Sequence, residues 1–171
     1  MNKPKAVFPG SFDPFSLAHH ELVINASELF DVTILICVNP EKSAGMFTPE
    51  ERCQIIKHAF REYYNFVNVE IYSGLVTDYC KSNNIEYIIR GFSYTDAGKE
   101  LDLCHIYYDD SEDDRKLKTI FFPTYNHDYL YIRSTRIREY IKNNKSTWEQ
   151  FVPTKSINVI HSIIDKHKNN K

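Results

Sequence analysis

Apolar positions recur along this chain in two alternating rhythms. Short runs rich in β-branched and aromatic residues fall at 6–8, 32–38, 67–72, 87–89 and 119–122, and they predict strands of a sheet covered on both faces. Between them the spacing changes to three and four. Leu22, Val23, Ala26, Leu29 and Phe30 predict a helix opening near His19. Thr48-Pro49-Glu50-Glu51 is a capping box with proline at the first helical position, and it opens a helix to about Tyr63. Further helices are expected over 75–83 and 99–108, and from a Ser134 cap through Ile141. Another is expected over 154–168, where Ile157, Ile160, Ile163 and Ile164 share one side. Strands alternating with helices through short connections predict an α/β fold: a doubly wound, parallel five-stranded sheet with helices on both faces and a C-terminal helix. Residues 1–171 read as one domain, with a core over about 5–143 and a helical appendage over about 146–168.

Composition narrows the function classes. With 171 residues, 42% of them hydrophobic, the chain can bury a core without disulfide or metal staples. A net charge of −2 and a pI near 6.4 exclude a molecule-wide trap for nucleic acid, so any bound anion needs local cations and backbone donors. Cys37, Cys53, Cys80 and Cys104 form no C-x-x-C pair and read as buried free thiols in a reducing cytoplasm. The N-terminus lacks the long apolar region of a signal peptide, and no stretch is apolar enough to span a bilayer. A soluble, cytoplasmic protein is the expectation. The acidic run over 109–114 reads as a solvated loop.

In a parallel sheet of this kind ligands bind beyond the carboxyl ends of the strands, here at 9–19, 39–47, 90–93 and 123–135. The first of these leaves a strand, turns at Gly10 and Pro14 and enters a helix at His19. Backbone N–H groups and the helix dipole make a phosphate seat there, with Ser11 adding a hydroxyl. The plainer alternative is a surface histidine capping a helix. Lys42 is a second cation, or simply a solvated lysine. Arg90 ends a strand beside Gly91, where it can hold an anion or pair with a helix carboxylate. Residues 132–139 are a hydroxyl-rich helix start, another anion site or an ordinary cap. No D-x-D or His/Asp cluster suggests a metal held by the protein.

Gly10-Ser11-Phe12-Asp13-Pro14 with His19, and Ile132-Arg133-Ser134-Thr135, resemble the two signatures of the H/T-x-G-H nucleotidyltransferases. Met46-Phe47-Thr48-Pro49-Glu50-Glu51-Arg52, Ile89-Arg90-Gly91 and the chain length narrow the resemblance to the phosphopantetheine adenylyltransferase family. It implies a Rossmann-like nucleotidyltransferase fold and transfer of AMP from ATP to 4′-phosphopantetheine, giving dephospho-coenzyme A and pyrophosphate. His19 matches the histidine that stabilises charge on the reacting phosphate, and Lys42 and Arg90 match the cations on the acceptor phosphate. These three are the implied catalytic residues. Ser11 matches a contact to both substrates and Val76 one to pantetheine. Phe12, His19, Gly91, Phe92, Ser93, Glu100, Tyr129, Ile132, Arg133, Ser134 and Thr135 fall at ATP-contacting positions. Mg²⁺ carried by ATP, a homohexamer and feedback binding of coenzyme A are also implied.

Three residues depart from the family pattern. Ala18 replaces the glycine of the first signature, Ser93 replaces an arginine near the ATP phosphates, and Arg133 replaces a small serine. The loop over 123–132 is also longer than usual. The competing readings are a sister transferase acting on nicotinate or nicotinamide mononucleotide, a CTP-dependent transferase acting on an alcohol phosphate, or a nucleotide-binding relative with impaired catalysis.

Overall fold

The computed structural model describes residues 3–39, 45–61, 67–92, 97–111 and 116–169. Five strands form one sheet: β1 (Lys5–Gly10), β2 (Asp31–Cys37), β3 (Val67–Tyr72), β4 (Tyr87–Phe92) and β5 (Lys118–Pro123). Their order is β3-β2-β1-β4-β5, and every pairing is parallel. The helices are α1 (Leu17–Ser27), α2 (Pro49–Ala59), α3 (Val76–Ser82), α4 (Ala97–Asp109), α5 (Ser134–Lys142) and α6 (Ile157–Asn169). This is the doubly wound, Rossmann-like architecture that the alternating pattern predicts.

Alternation along each strand divides the core into two layers. Ala6, Phe8, Ile34, Ile36 and Ile89 face the side covered by α1, α2, α5 and α6, where Val23, Ile55, Ile56, Ile137, Ile160 and Ile163 pack. Val7, Leu35 and Ile88 face the other side, against Tyr79 and Cys80 of α3, with Tyr107 of α4 alongside. The C-terminal stretch belongs to the first layer: Trp148, Val152, Ile160 and Ile163 are all buried in it. The buried Ser156 hydroxyl donates to the Ile55 carbonyl of α2 at 3.0 Å.

Several boundaries differ from expectation for identifiable reasons. Helix α1 starts two residues early because Ser16, in extended backbone, caps it. It ends at Ser27, which leaves Leu29 of the expected apolar face 60% exposed. Helix α2 stops at Ala59 rather than near Tyr63, and Tyr63 lies outside the described residues. Residues Thr154–Ser156 form a 3₁₀ turn, so α6 starts at Ile157. Ser134 is the first residue of α5 and not its cap: Arg133 occupies that position, with no side-chain cap bond. The cysteines are free, but only Cys80 is fully buried. Asp109 closes α4, Asp109 and Asp110 are exposed, and residues 112–114 of the acidic run lie outside the described residues.

Candidate active site

The switch in strand order falls between β1 and β4, and there the sheet parts. β1 pairs with β2 over six positions, but with β4 only at Ala6–Tyr87 and Val7–Ile88. Continuing that register would set Pro9 beside Arg90 and Gly10 beside Gly91. Proline has no N–H to give, and instead Arg90 Nη1 donates to the Pro9 carbonyl at 3.0 Å. The open crevice at the carboxyl ends of these two strands is where an α/β sheet of this topology binds its ligand.

The loop after β1 is built around aromatic packing. Phe12 adopts a left-handed backbone, φ 49°, a conformation a bulky residue holds only when its surroundings impose it. Its ring is buried against Phe8, Phe15 and the His19 imidazole at centroid distances of 5.1, 5.6 and 5.1 Å. The Phe12 side chain is therefore core, and any contact of this residue with a nucleotide falls to its backbone. Ser11 is exposed at the loop tip, with its carbonyl accepting from Arg52 Nη1 at 3.3 Å.

His19 is the third helical residue of α1 and closes an unusual capping box. The Ser16 hydroxyl accepts from the His19 N–H, while the Ser16 N–H donates to His19 Nδ1 at 3.1 Å. A backbone N–H can only donate, so Nδ1 is the unprotonated nitrogen and the neutral ring carries its proton on Nε2. Burial lowers the His19 pKa from 6.5 to about 4, with the charges of Arg90 and then Arg133 acting in the same direction. At neutral pH the ring is a fixed, uncharged N–H donor.

On the other face of the crevice stands Arg90. Its Nε and Nη2 donate to Glu100 Oε2 and Oε1 at 2.6 and 2.9 Å. The pairing with a helix carboxylate that the sequence left open is thus present. Burial disfavours the Arg90 charge, but Glu100 more than offsets it, and the guanidinium ends above its ordinary range. Cys37 closes β2 nearby, and burial pushes its thiol up. Val76, the first residue of α3, is partly buried and packs against the layer of Val7, Leu35 and Ile88. Gly91 keeps the strand end slim: a methyl there would meet Leu22 Cδ1 at 3.1 Å. Phe92 is 36% exposed and stacks edge-on with Phe121.

Residues 129–135 bring the second signature to the His19 side. Tyr129 ends a 3₁₀ turn and packs on the core, and Ile132 is buried. Ser134 Oγ donates to the Pro14 carbonyl at 2.8 Å, tying the start of α5 to the first loop. Among the described residues no side chain caps α5, and its first N–H groups, with the helix dipole behind them, are of the kind that receives an anion. Thr135 is exposed and accepts from Arg138 Nη2 at 3.2 Å. Lys42 and Ser93 lie outside the described residues. Among the described residues no group of three or more His, Cys, Asp or Glu stands close enough to hold a metal ion.

Two positioning residues escaped the sequence reading. Asp13, 5% exposed, accepts the N–H groups of Met46 and Phe47, each at 2.9 Å. Its carboxylate also lies 3.6 Å from Arg52 and 3.8 Å from Arg138, so it fastens the first loop to the segment after Lys42 and to α5. Glu21 Oε1 accepts the Asn126 N–H at 3.1 Å and pins the long loop after β5 onto α1. An aspartate within the first signature was the available signal for Asp13, and one sequence does not tell which arginines meet it.

Comparisons with known proteins identify the family. Residues 7–140 match the cytidylyltransferase-like family model. A phosphopantetheine adenylyltransferase of Corynebacterium diphtheriae is 33% identical over 164 residues, spanning 93% of this chain and 98% of the relative. One of Clostridium novyi is 34% identical over 163 residues, spanning 94% and 95%. Among solved structures, the Plasmodium falciparum nicotinic acid mononucleotide adenylyltransferase complexed with APC superposes with a TM-score of 0.66 at 13% identity, covering 96% of this chain and 98% of that one. At that identity the likeness speaks for the fold alone. The chain belongs to the cytidylyltransferase-like family and, within it, to the phosphopantetheine adenylyltransferases.

Proposed function

We propose that this chain transfers AMP from ATP to the phosphate of 4′-phosphopantetheine, giving dephospho-coenzyme A and pyrophosphate. The observation that carries the reading is the parted β1–β4 edge. It has a guanidinium on one side, and a neutral imidazole N–H with an uncapped helix start on the other. Such an edge offers two separate seats for phosphoryl groups, which is what joining two phosphates requires.

An oxygen of the acceptor phosphate attacks the α-phosphorus of ATP in line. A new P–O bond forms, the bond from the α-phosphorus to the bridging oxygen breaks, and pyrophosphate leaves with the electron pair. The attacking phosphate is already ionised, so no protein nucleophile is needed. The protein supplies position and charge neutralisation. Arg90, with Lys42, holds the acceptor. His19 Nε2–H donates to the oxygens on the reacting phosphorus, while the Ser11 hydroxyl and the first backbone N–H groups of α5, that of Ser134 among them, receive the nucleotide phosphates. Mg²⁺ enters as part of the ATP substrate.

The same reading carries a cytoplasmic location, a homohexamer, and coenzyme A as a feedback ligand in this cleft. Among the described residues no helix is long and apolar enough to cross a membrane. Leu101 and Ile106 expose about half their surface on α4, which is apolar area that subunit contacts could cover.

The test is pyrophosphate release from ATP and Mg²⁺ with 4′-phosphopantetheine, nicotinate mononucleotide or glycerol phosphate as acceptor. Release with phosphopantetheine alone is the expected result. Release with another acceptor moves the protein to another pathway. ATP binding without release from any of the three overturns catalysis.

A further inference from the structure

Consecutive peptide groups at the start of α2 donate to carboxylates. The Met46 and Phe47 N–H groups go to Asp13 Oδ2 and Oδ1, each at 2.9 Å, and the Thr48 N–H goes to Glu51 Oε2 at 2.8 Å. Asp13 belongs to the first loop and Glu51 to the first turn of α2, so this row of peptides joins the two. Arg52 and Arg138 brace Asp13. Glu51 is braced from outside the crevice. Its second oxygen, Oε1, lies 2.8 Å from His167 Nε2, on a residue 116 positions away in the last turn of α6. A carboxylate only accepts, so Nε2 carries the proton and donates. The His167 and Glu51 side chains are 39% and 21% exposed. The imidazole centroid stands 6.4 Å from that of the buried Phe47 ring.

The sequence marks the C-terminal stretch as an appendage. We propose instead that His167 is a positioning residue for the first loop. It touches no substrate. It holds Glu51, Glu51 holds the Thr48 peptide, and the row of peptides passes that constraint to Asp13, whose own carbonyl accepts from Arg138. Ser11 stands on this loop and His19 just after it. The links through Asp13 and Glu51 are hydrogen bonds to carboxylates, which fix orientation as well as distance. The inference rests on the proposed function insofar as Ser11 and His19 act on the reacting phosphates. Groups that act in the transition state lose rate when they are displaced, while ground-state binding changes less.

The experiment compares wild type with two variants of the full chain. His167→Phe keeps a ring beside Phe47 and loses the donor, whereas His167→Gln keeps an N–H donor. Steady-state pyrophosphate release and amide hydrogen exchange followed by NMR are measured on each. His167→Phe is expected to speed exchange at Met46, Phe47 and Thr48 about fivefold, the worth of one partly exposed hydrogen bond. It should lower kcat by about the same factor and leave the KM of ATP and of phosphopantetheine within about twofold. The strand amides of Val7 and Leu35 should exchange as in wild type, which separates local from global loosening. His167→Gln should stay close to wild type in both readouts. On a Glu51→Ala background, His167→Phe should change either readout by no more than about twofold, because His167 acts through Glu51.

Unchanged exchange and kcat in His167→Phe would overturn the proposal. So would losses in His167→Gln equal to those in His167→Phe, since the donor would then not matter. Faster exchange at Met46, Phe47 and Thr48 with normal kcat would leave the contact a structural one and overturn it too. A wild type that releases no pyrophosphate from ATP and phosphopantetheine defeats the proposed function. The amides of Ser16, His19 and His20, which close the first loop, then decide the role of His167. Faster exchange there in His167→Phe supports it, and unchanged exchange overturns it.

Discussion

Replacing Asp13 by asparagine tests whether its carboxylate holds the site together. The side chain is 5% exposed and accepts two backbone N–H groups, from Met46 and Phe47. It also supplies the only carboxylate that the described ion pairs place beside Arg52, itself 8% exposed. An amide of the same shape can accept one of those N–H groups and must turn –NH₂ toward the other. Arg52 meanwhile keeps its charge in a buried place with no carboxylate counter-ion among the described residues. Breaking such a pair costs about 3–5 kcal/mol. The low end applies here, because Arg52 retains the Phe47 carbonyl at 2.7 Å and the Ser11 carbonyl at 3.3 Å. At about 2–4 °C per kcal/mol for a chain of this size, a loss of about 3 kcal/mol lowers Tm by about 6–12 °C. Thermal unfolding followed by circular dichroism measures it. Asp13→Asn combined with Arg52→Met should recover part of the loss, since the charge left unmatched is then gone. A Tm within about 2 °C of wild type for Asp13→Asn would refute the reasoning.

Three further outcomes are expected. His19→Ala should lower kcat by about 10²–10³, the cost of one preorganised donor, and near-normal turnover would remove His19 from the reaction. His19 also gives acid sensitivity: its folded pKa, about 4, lies below its ordinary 6.5, so the unfolded chain takes up the proton first and stability falls as pH drops through that window. Urea unfolding at pH 7 and pH 4.5 should show wild type losing about 2 kcal/mol more than His19→Gln, after allowance for partial exposure of the ring. Gly10→Ala would set a methyl 2.7 Å from Phe12 Cζ, on a ring already packed against Phe8, Phe15 and His19. It should cost about 1–3 kcal/mol by overpacking, read as a lower denaturant midpoint with normal yield of the wild-type control.

The fold was legible because strand and helix rhythms differ, and the β-rich runs left little ambiguity about which segments enter the sheet. Boundaries were less so. Ser16 and Arg133 cap helices that the apolar spacing starts elsewhere, because a cap is chosen by local backbone geometry and the polar atom that reaches it. Leu29 fits the helical period yet lies outside α1 and faces solvent, since periodicity reports spacing and not where a helix stops. At the site, the sheet edge that gathers Gly10, His19, Arg90 and the start of α5 was legible from the sequence. Their pairing was not. Glu100 lies ten residues from Arg90, and Asp13 lies 34 from Phe47 and 125 from Arg138. Contacts of that range are set by how the layers pack, which a single sequence does not display.

The arrangement around His19 explains why a histidine serves where the sequence holds many cations. Arg90 and Arg133 both act on the ring, one from β4 and one from the start of α5, and both oppose its protonation. A positively charged imidazole there would compete with the arginines for the same phosphates and would be costly to bury. Kept neutral, with Nδ1 fixed by the Ser16 N–H, the ring instead offers one donor in one direction. Among the described residues, positive charge in this crevice comes from guanidinium groups and backbone N–H groups that do not titrate near neutrality. The group whose ionisation governs attack is then the acceptor itself, whose second phosphate proton leaves near pH 6.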